Sequence, residues 1–289
     1  ALRISKANPT LAQQKAEEAV NHEVGVMTTN ADNAELTLAS TNPFEIIMYE
    51  YNGGDSRVSA DITSYMNGYN DPRRAAMFTE STFADGGYYG IRTGINIPDG
   101  TIAHAYSNYN VKTDSKLIIM NSAESAFLRA EGALKGWNMG ATAKELYEQG
   151  IKLSFEQWGV QGADAYIADN SSMPQGYKDP AGLNSYSGAT SQITIAWDDA
   201  DAAKNLERII TQKWIANFPL GIEAWSEYRR TGFPKLMPVV VNNTVSNERG
   251  ARRLAYPQEE RINNSENYPH ALQLLGGTDN MGTDVWWAK

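Results

Sequence analysis

Between Phe83 and Lys112 the chain gathers Tyr88, Tyr89, Arg92, His104, Tyr106, Asn108, Tyr109 and Asn110 among glycines, with neither a helical nor a strand period. Tyrosine rings offer flat apolar faces with a polar edge, and amide and guanidinium groups bond hydroxyls. That mixture suits a pyranose, whose apolar face stacks on rings while its hydroxyls are held by polar groups. Long irregular loops inside a compact domain are uncommon and often carry function. Two readings stand side by side. The rings plug the core, or Tyr88, Tyr89, Arg92, Tyr106, Tyr109 and Asn110 form a ligand-binding set.

Other chemistries find less support. The three histidines, His22, His104 and His270, have no metal-ligating partner at helical spacing, and there is no cysteine. Asp198, Asp199 and Asp201 open a helix, where capping and the helix dipole explain them better than a calcium loop. No metal or cofactor is expected. The chain has no phosphate-binding loop, no dinucleotide glycine fingerprint, no His-Glu-x-x-His and no Gly-x-Ser-x-Gly elbow. A glycosidase needs two carboxylates at a defined separation. Glu223 and Glu227 lie one helical turn apart, but their neighbours read as core and surface, so a non-catalytic protein is expected.

Composition sets the frame. The 289 residues are 42% hydrophobic and 20% charged, enough for one large domain or two small ones. A net charge of −9 argues against nucleic acid as partner, because phosphate binding needs a basic face. No apolar run reaches transmembrane length. The opening Ala-Leu-Arg-Ile-Ser lacks Met and reads as the end of a helix, so a missing N-terminal portion is expected.

Four stretches differ in pattern. In 1–25, Asn8-Pro9 is a cap followed by proline at the first helical position. Residues 26–114 are loop-rich, with a short strand expected at 44–49, a turn at 52–55 and a short helix at 59–69. Asp71-Pro72-Arg73 reads as a turn whose acid and base pair locally. Residues 115–234 read as helical hairpins. Ala123, Phe127, Ala130 and Leu134 share one helix face, 136–140 makes a corner, and Leu146, Tyr147, Ile151 and Phe155 mark the next helix. After a short helix at 162–170 and a loop at 171–192, Leu206, Ile209, Ile210, Trp214 and Phe218 share another face. Pro219 is expected in the first turn of the following helix, with Ile222 and Trp225 continuing the apolar face and Gly232 ending it. In 235–289 a polar turn follows Val241, 271–275 is helical, and Trp286 and Trp287 anchor the tail. The pairs Arg229-Arg230 and Arg252-Arg253 should bind Glu223, Glu227, Glu259 or Glu260.

Several of these stretches also resemble a known family. Gln-Lys-Trp-Ile-Ala at 212–216, Gly-Ile-Glu-Ala-Trp-Ser-Glu-Tyr-Arg-Arg-Thr-Gly-Phe-Pro at 221–234 and Ala-Glu-Ser-Ala-Phe-Leu-Arg-Ala-Glu-Gly at 123–132 are similar to SusD/RagB proteins. So are Asp71-Pro72-Arg73 and the tail with Tyr256-Pro257, Glu259, three asparagines and Trp286-Trp287. The resemblance implies a mainly α fold of tetratricopeptide-like hairpins with long irregular loops and little β, forming the C-terminal major part of a single domain. It implies a nutrient-binding lipoprotein on the outward face of a Bacteroidetes outer membrane. Such a protein binds a glycan or other nutrient oligomer and passes it to a SusC-like, TonB-dependent transporter. Its membrane contact would be an N-terminal lipid anchor outside this chain. The alternatives are a glycoside hydrolase or related carbohydrate-active enzyme, and a helical-repeat scaffold for the transporter without a ligand of its own.

Overall fold

A computed structural model describes residues 1–37, 41–96, 100–241 and 249–289. The polar turn expected after Val241 and residues 97–99 of the aromatic stretch lie outside them.

The core is a set of packed helices. Ser122–Leu134 and Ala143–Gln157 form a hairpin, and Ala202–Ala216 packs against both. Each begins where a side chain takes up an orphan backbone N–H. Asn121 accepts from the Glu124 N–H at 2.8 Å, and Asp201 accepts from the Lys204 N–H at 3.0 Å. Thr142 and Glu145 make a reciprocal capping box. Asp198 and Asp199 serve local bonds, accepting from the Ala200 N–H and the Trp197 indole N–H. Phe127, Tyr147, Ile151, Ile209 and Ile210 are buried between these helices, as their spacing predicts, and Ile215 is buried with them. Gly150 faces Phe127 so closely that a Cβ there would sit 2.7 Å from the ring. Hydrogen is the only side chain that lets the hairpin close.

The next hairpin differs from expectation in two respects. The helix runs Gly221–Thr231 and starts after Pro219 rather than with it. The Gly221 N–H bonds the Pro219 carbonyl, so the proline belongs to the turn. Ile222 is 73% exposed, and the buried positions are Ser226, Glu227 and Arg230. An ion network fills the inward face instead of an apolar stripe. Arg230 binds Glu131 at 2.7 and 2.6 Å and also binds Glu227. Lys213 reaches Glu227 at 3.4 Å and Glu124 at 3.6 Å. Gly232, at φ +78°, adopts the left-handed conformation that ends the helix.

A second correction concerns residues 44–49. They are not a strand: Pro43–Glu45 is helical and runs into a π-helical turn, Ile46–Glu50. Asn42 accepts from the Phe44 N–H at 3.0 Å and Pro43 occupies the first position, so a local cap overrides the β-branched pair that follows. Among the described residues the sheet is one antiparallel ribbon, Ala34–Leu36 with Leu117–Met120, with Glu35 opposite Ile118.

The turn at 71–73 pairs locally, and more. Arg73 is fully buried and binds Asp71, Ser154 at 2.8 Å and Gln212 at 3.1 Å. Near the C-terminus, Gln258–Asn263 is an additional helix, and Tyr268–Leu275 begins before 271 and ends at Gly276. Arg230 finds Glu227 as expected, but Arg252 and Arg253 bind Asp284 and Asp279, each at 2.6 Å. Arg229 lies between the rings of Trp225 and Trp287. Trp287 thus ties down the tail, whereas Trp286 is exposed. Among the described residues no helix is long and apolar enough to cross a membrane.

Candidate functional site

A cavity of about 460 Å³ opens beside the two-stranded ribbon. Among the described residues four aromatic ones line it: Phe44, Tyr109, Trp158 and Phe218. Each arrives from a different element. Phe44 comes from the turn capped by Asn42, Trp158 follows the last residue of Ala143–Gln157, and Phe218 follows Ala202–Ala216. Tyr109 sits at the centre, edge-on to Phe44 at 6.0 Å and to Phe218 at 4.9 Å between ring centroids. Burial pushes its hydroxyl up to about 12, so the ring stays neutral.

Polar groups complete the lining. Asn30 donates to the Leu153 carbonyl at 3.0 Å and to Glu156 Oε2 at 3.1 Å. Asn33 donates to Asn30 Oδ1 and Gln157 Oε1 and accepts from the Ser122 N–H at 2.8 Å. Lys116, just before the second strand of the ribbon, donates to Glu35. The exposed Asn110 is fixed by its backbone N–H, which bonds the Met77 carbonyl at 2.9 Å, and its amide reaches Ala76. Rings and bonded amides in one lining could hold a sugar by stacking and hydroxyl contacts. A second cavity of the same volume is lined by Val20, Val26, Leu128 and Met139 together with Lys15, Glu124 and Arg129, with no aromatic residue among the described residues. Among the described residues no three His, Cys, Asp or Glu side chains converge where a metal ion could sit.

The six residues singled out in the sequence fall into three places. Tyr109 and Asn110 line the cavity. Tyr89, Arg92 and Tyr106 meet the 177–186 loop. Tyr106 is 5% exposed and donates to Asp179 Oδ1 at 2.5 Å, Arg92 lies 5.2 Å from the Tyr186 ring and bonds the Pro238 carbonyl, and Tyr89 packs against the small cluster of Ala60, Tyr177 and Met237. Tyr88 lies apart, beneath the guanidinium of Arg74 at 5.8 Å. Burial raises the Tyr106 hydroxyl well above its ordinary range, with the neighbouring Asp179 carboxylate adding to the effect. Asn30, Asn33, Glu156, Gln157 and Trp158 carried no motif. The one available signal is Trp158 itself, an aromatic residue following Glu-Gln at a helix end.

Residues 1–288 match the SusD-like family, described as Susd and RagB outer membrane lipoprotein. A SusD homolog from Bacteroides uniformis ATCC 8492 is 49% identical, with a TM-score of 0.94 over 100% of this chain and 62% of its own length. A chitin-binding SusD homolog from Flavobacterium johnsoniae is 45% identical, with a TM-score of 0.92 over 100% of this chain and 61% of its own. A susd homolog from Bacteroides vulgatus ATCC 8482 is 33% identical, with a TM-score of 0.89 over 100% of this chain and 60% of its own. No curated protein matches the chain. The chain therefore spans about three fifths of the length of these solved relatives. With a family match along nearly its whole length and the helical architecture shared with these homologs, the chain belongs to the SusD/RagB family of outer-membrane lipoproteins.

Proposed function

We propose that the protein binds a nutrient glycan at the outer-membrane surface, without cleaving it, and delivers it to a SusC-like TonB-dependent transporter. The carrying observation is the cavity beside the ribbon, where Phe44, Tyr109, Trp158 and Phe218 meet the amides of Asn30, Asn33, Asn110 and Gln157. Family membership supports the reading, and so does the 45% identical homolog described as chitin-binding. Of the six residues expected from the sequence, Tyr109 and Asn110 belong to this site. Tyr88, Tyr89, Arg92 and Tyr106 hold the 83–112 stretch against the rest of the fold. Capture by rings and single amides is weak and reversible, as handover to a transporter requires.

A second reading is hydrolysis, because two carboxylates, Glu35 and Glu156, line the same cavity. One experiment separates the two. The protein is run through native gels carrying glycol chitin and a panel of other neutral polysaccharides, and the same mixtures are assayed for new reducing ends. Retardation without new ends supports binding, and new ends support the enzyme. If no gel retards the protein, the glycan reading fails and the scaffold role takes its place.

A further inference from the structure

Among the described residues three charged ones line the cavity, Glu35, Lys116 and Glu156. Lys116, the one cation of that lining among the described residues, is already bonded to Glu35 across the ribbon. Glu156 has a different partner, the neutral amide of Asn30 at 3.1 Å. That amide is itself fixed, bonding the Leu153 carbonyl and accepting from Asn33. The lining thus carries a net negative charge, held in place by a relay of amides from the ribbon to the helix end.

We infer that this cavity selects uncharged sugar units and rejects those bearing carboxylates. The inference rests on the cavity being the glycan site. A uronic acid brings its carboxylate into a cavity that already holds Glu156, and the one cation of the lining among the described residues is already paired with Glu35. Glu156 is exposed, and like charges brought together at a protein surface still repel more strongly than in bulk water. A neutral pyranose meets no such penalty, and its hydroxyls can donate to the same carboxylate in charge-assisted hydrogen bonds. The carboxylate that repels an acidic sugar therefore favours a neutral one.

The test uses matched polymers. Each neutral polysaccharide of the panel is compared with its own form oxidised at the primary hydroxyl to a carboxylate. Native gels carrying one or the other are run with the wild type, Glu156→Gln and Glu259→Gln. The last variant makes the same change of net charge on the Gln258–Asn263 helix, outside the cavity lining. The expected result is retention by the neutral form, with affinity for the oxidised form lower by about tenfold or more. Glu156→Gln should recover about tenfold for the oxidised polymer, and Glu259→Gln should recover nothing. The discrimination should also narrow between about 0.01 M and about 1 M salt, because screening shortens the reach of the carboxylate. Equal retention of both forms by the wild type, or a Glu156→Gln variant that discriminates as before, overturns the selectivity and leaves glycan binding standing. No retention in any neutral gel overturns glycan binding itself, and the selectivity with it.

Discussion

Arg230 grips Glu131 through two parallel hydrogen bonds, 2.7 and 2.6 Å long, across 99 residues of sequence. The pair joins the Gly221–Thr231 helix to the first helix of the central hairpin, and both side chains are buried. Removing Arg230 leaves the buried Glu131 with Lys135 at 3.7 Å, and neutralising Glu131 leaves Arg230 with Glu227 alone to balance it. Glu131→Gln and Arg230→Met should each cost about 3–5 kcal/mol, read by urea unfolding. The double change to apolar residues of similar size should cost less than the two single losses added together.

Acid should loosen the same network. Burial alone would raise the Glu227 carboxyl, but Lys213 and then Arg230 more than offset it and hold it at about 2, against an ordinary value of 4.5. A group held below its unfolded value adds stability that is complete above the unfolded value and is lost as pH falls toward the folded one. The melting temperature should therefore drop between about pH 4.5 and about pH 2. Glu227→Gln should flatten that part of the profile while lowering stability at neutral pH.

Gly150→Ala tests the closeness of the hairpin. A methyl group would meet the Phe127 ring at 2.7 Å, and the ring is enclosed on all sides. The expected loss is about 1–3 kcal/mol by chemical denaturation. A companion Phe127→Leu change should recover part of it, since the two sites share one contact.

Two aromatic substitutions at the cavity should behave differently. Tyr109 is 7% exposed and wedged between Phe44 and Phe218. Tyr109→Ala should therefore cost about 3–5 kcal/mol of stability, obscuring any effect on ligand. Trp158 is half-buried, at the cavity edge beyond a helix end. Trp158→Ala should leave a folded protein and weaken retention in glycan gels by about tenfold or more, the worth of one ring stacked on a sugar. Unchanged retention in a folded Trp158→Ala protein would remove this ring from the site.

Much of the helical frame could be read from the chain because its signals are local. Asn8, Asn121 and Asp201 cap helices within three residues of themselves, and Gly232 and Gly276 end them. Residues 44–49 misled because Ile46 and Ile47 favour a strand, whereas the Asn42-Pro43 cap just upstream decides the outcome. The inward face of Gly221–Thr231 misled for another reason. Its partners Glu131 and Lys213 lie in other helices, and no spacing within 221–231 announces them. The cavity is non-local in the same sense. Asn30, Phe44, Tyr109, Trp158 and Phe218 are scattered over nearly two hundred residues, and Phe44 and Phe218 read as part of a strand and of a helix face rather than of a site. Only Tyr109 and Asn110 sat in a stretch rich enough to draw notice.

Arg73 has a consequence for how the chain assembles. Its partners Ser154 and Gln212 lie 81 and 139 residues downstream, on two different helices, and its planar face rests 4.7 Å from Phe155. An arrangement with only one of these helices docked would enclose a guanidinium still paired with Asp71 but lacking its bond to Ser154 or to Gln212, and a buried donor left unmet costs free energy. Partly built forms are penalised while the finished one is not. The two helices are thereby coupled into a single all-or-none unit, and amide protons in both should exchange with solvent through the same opening event.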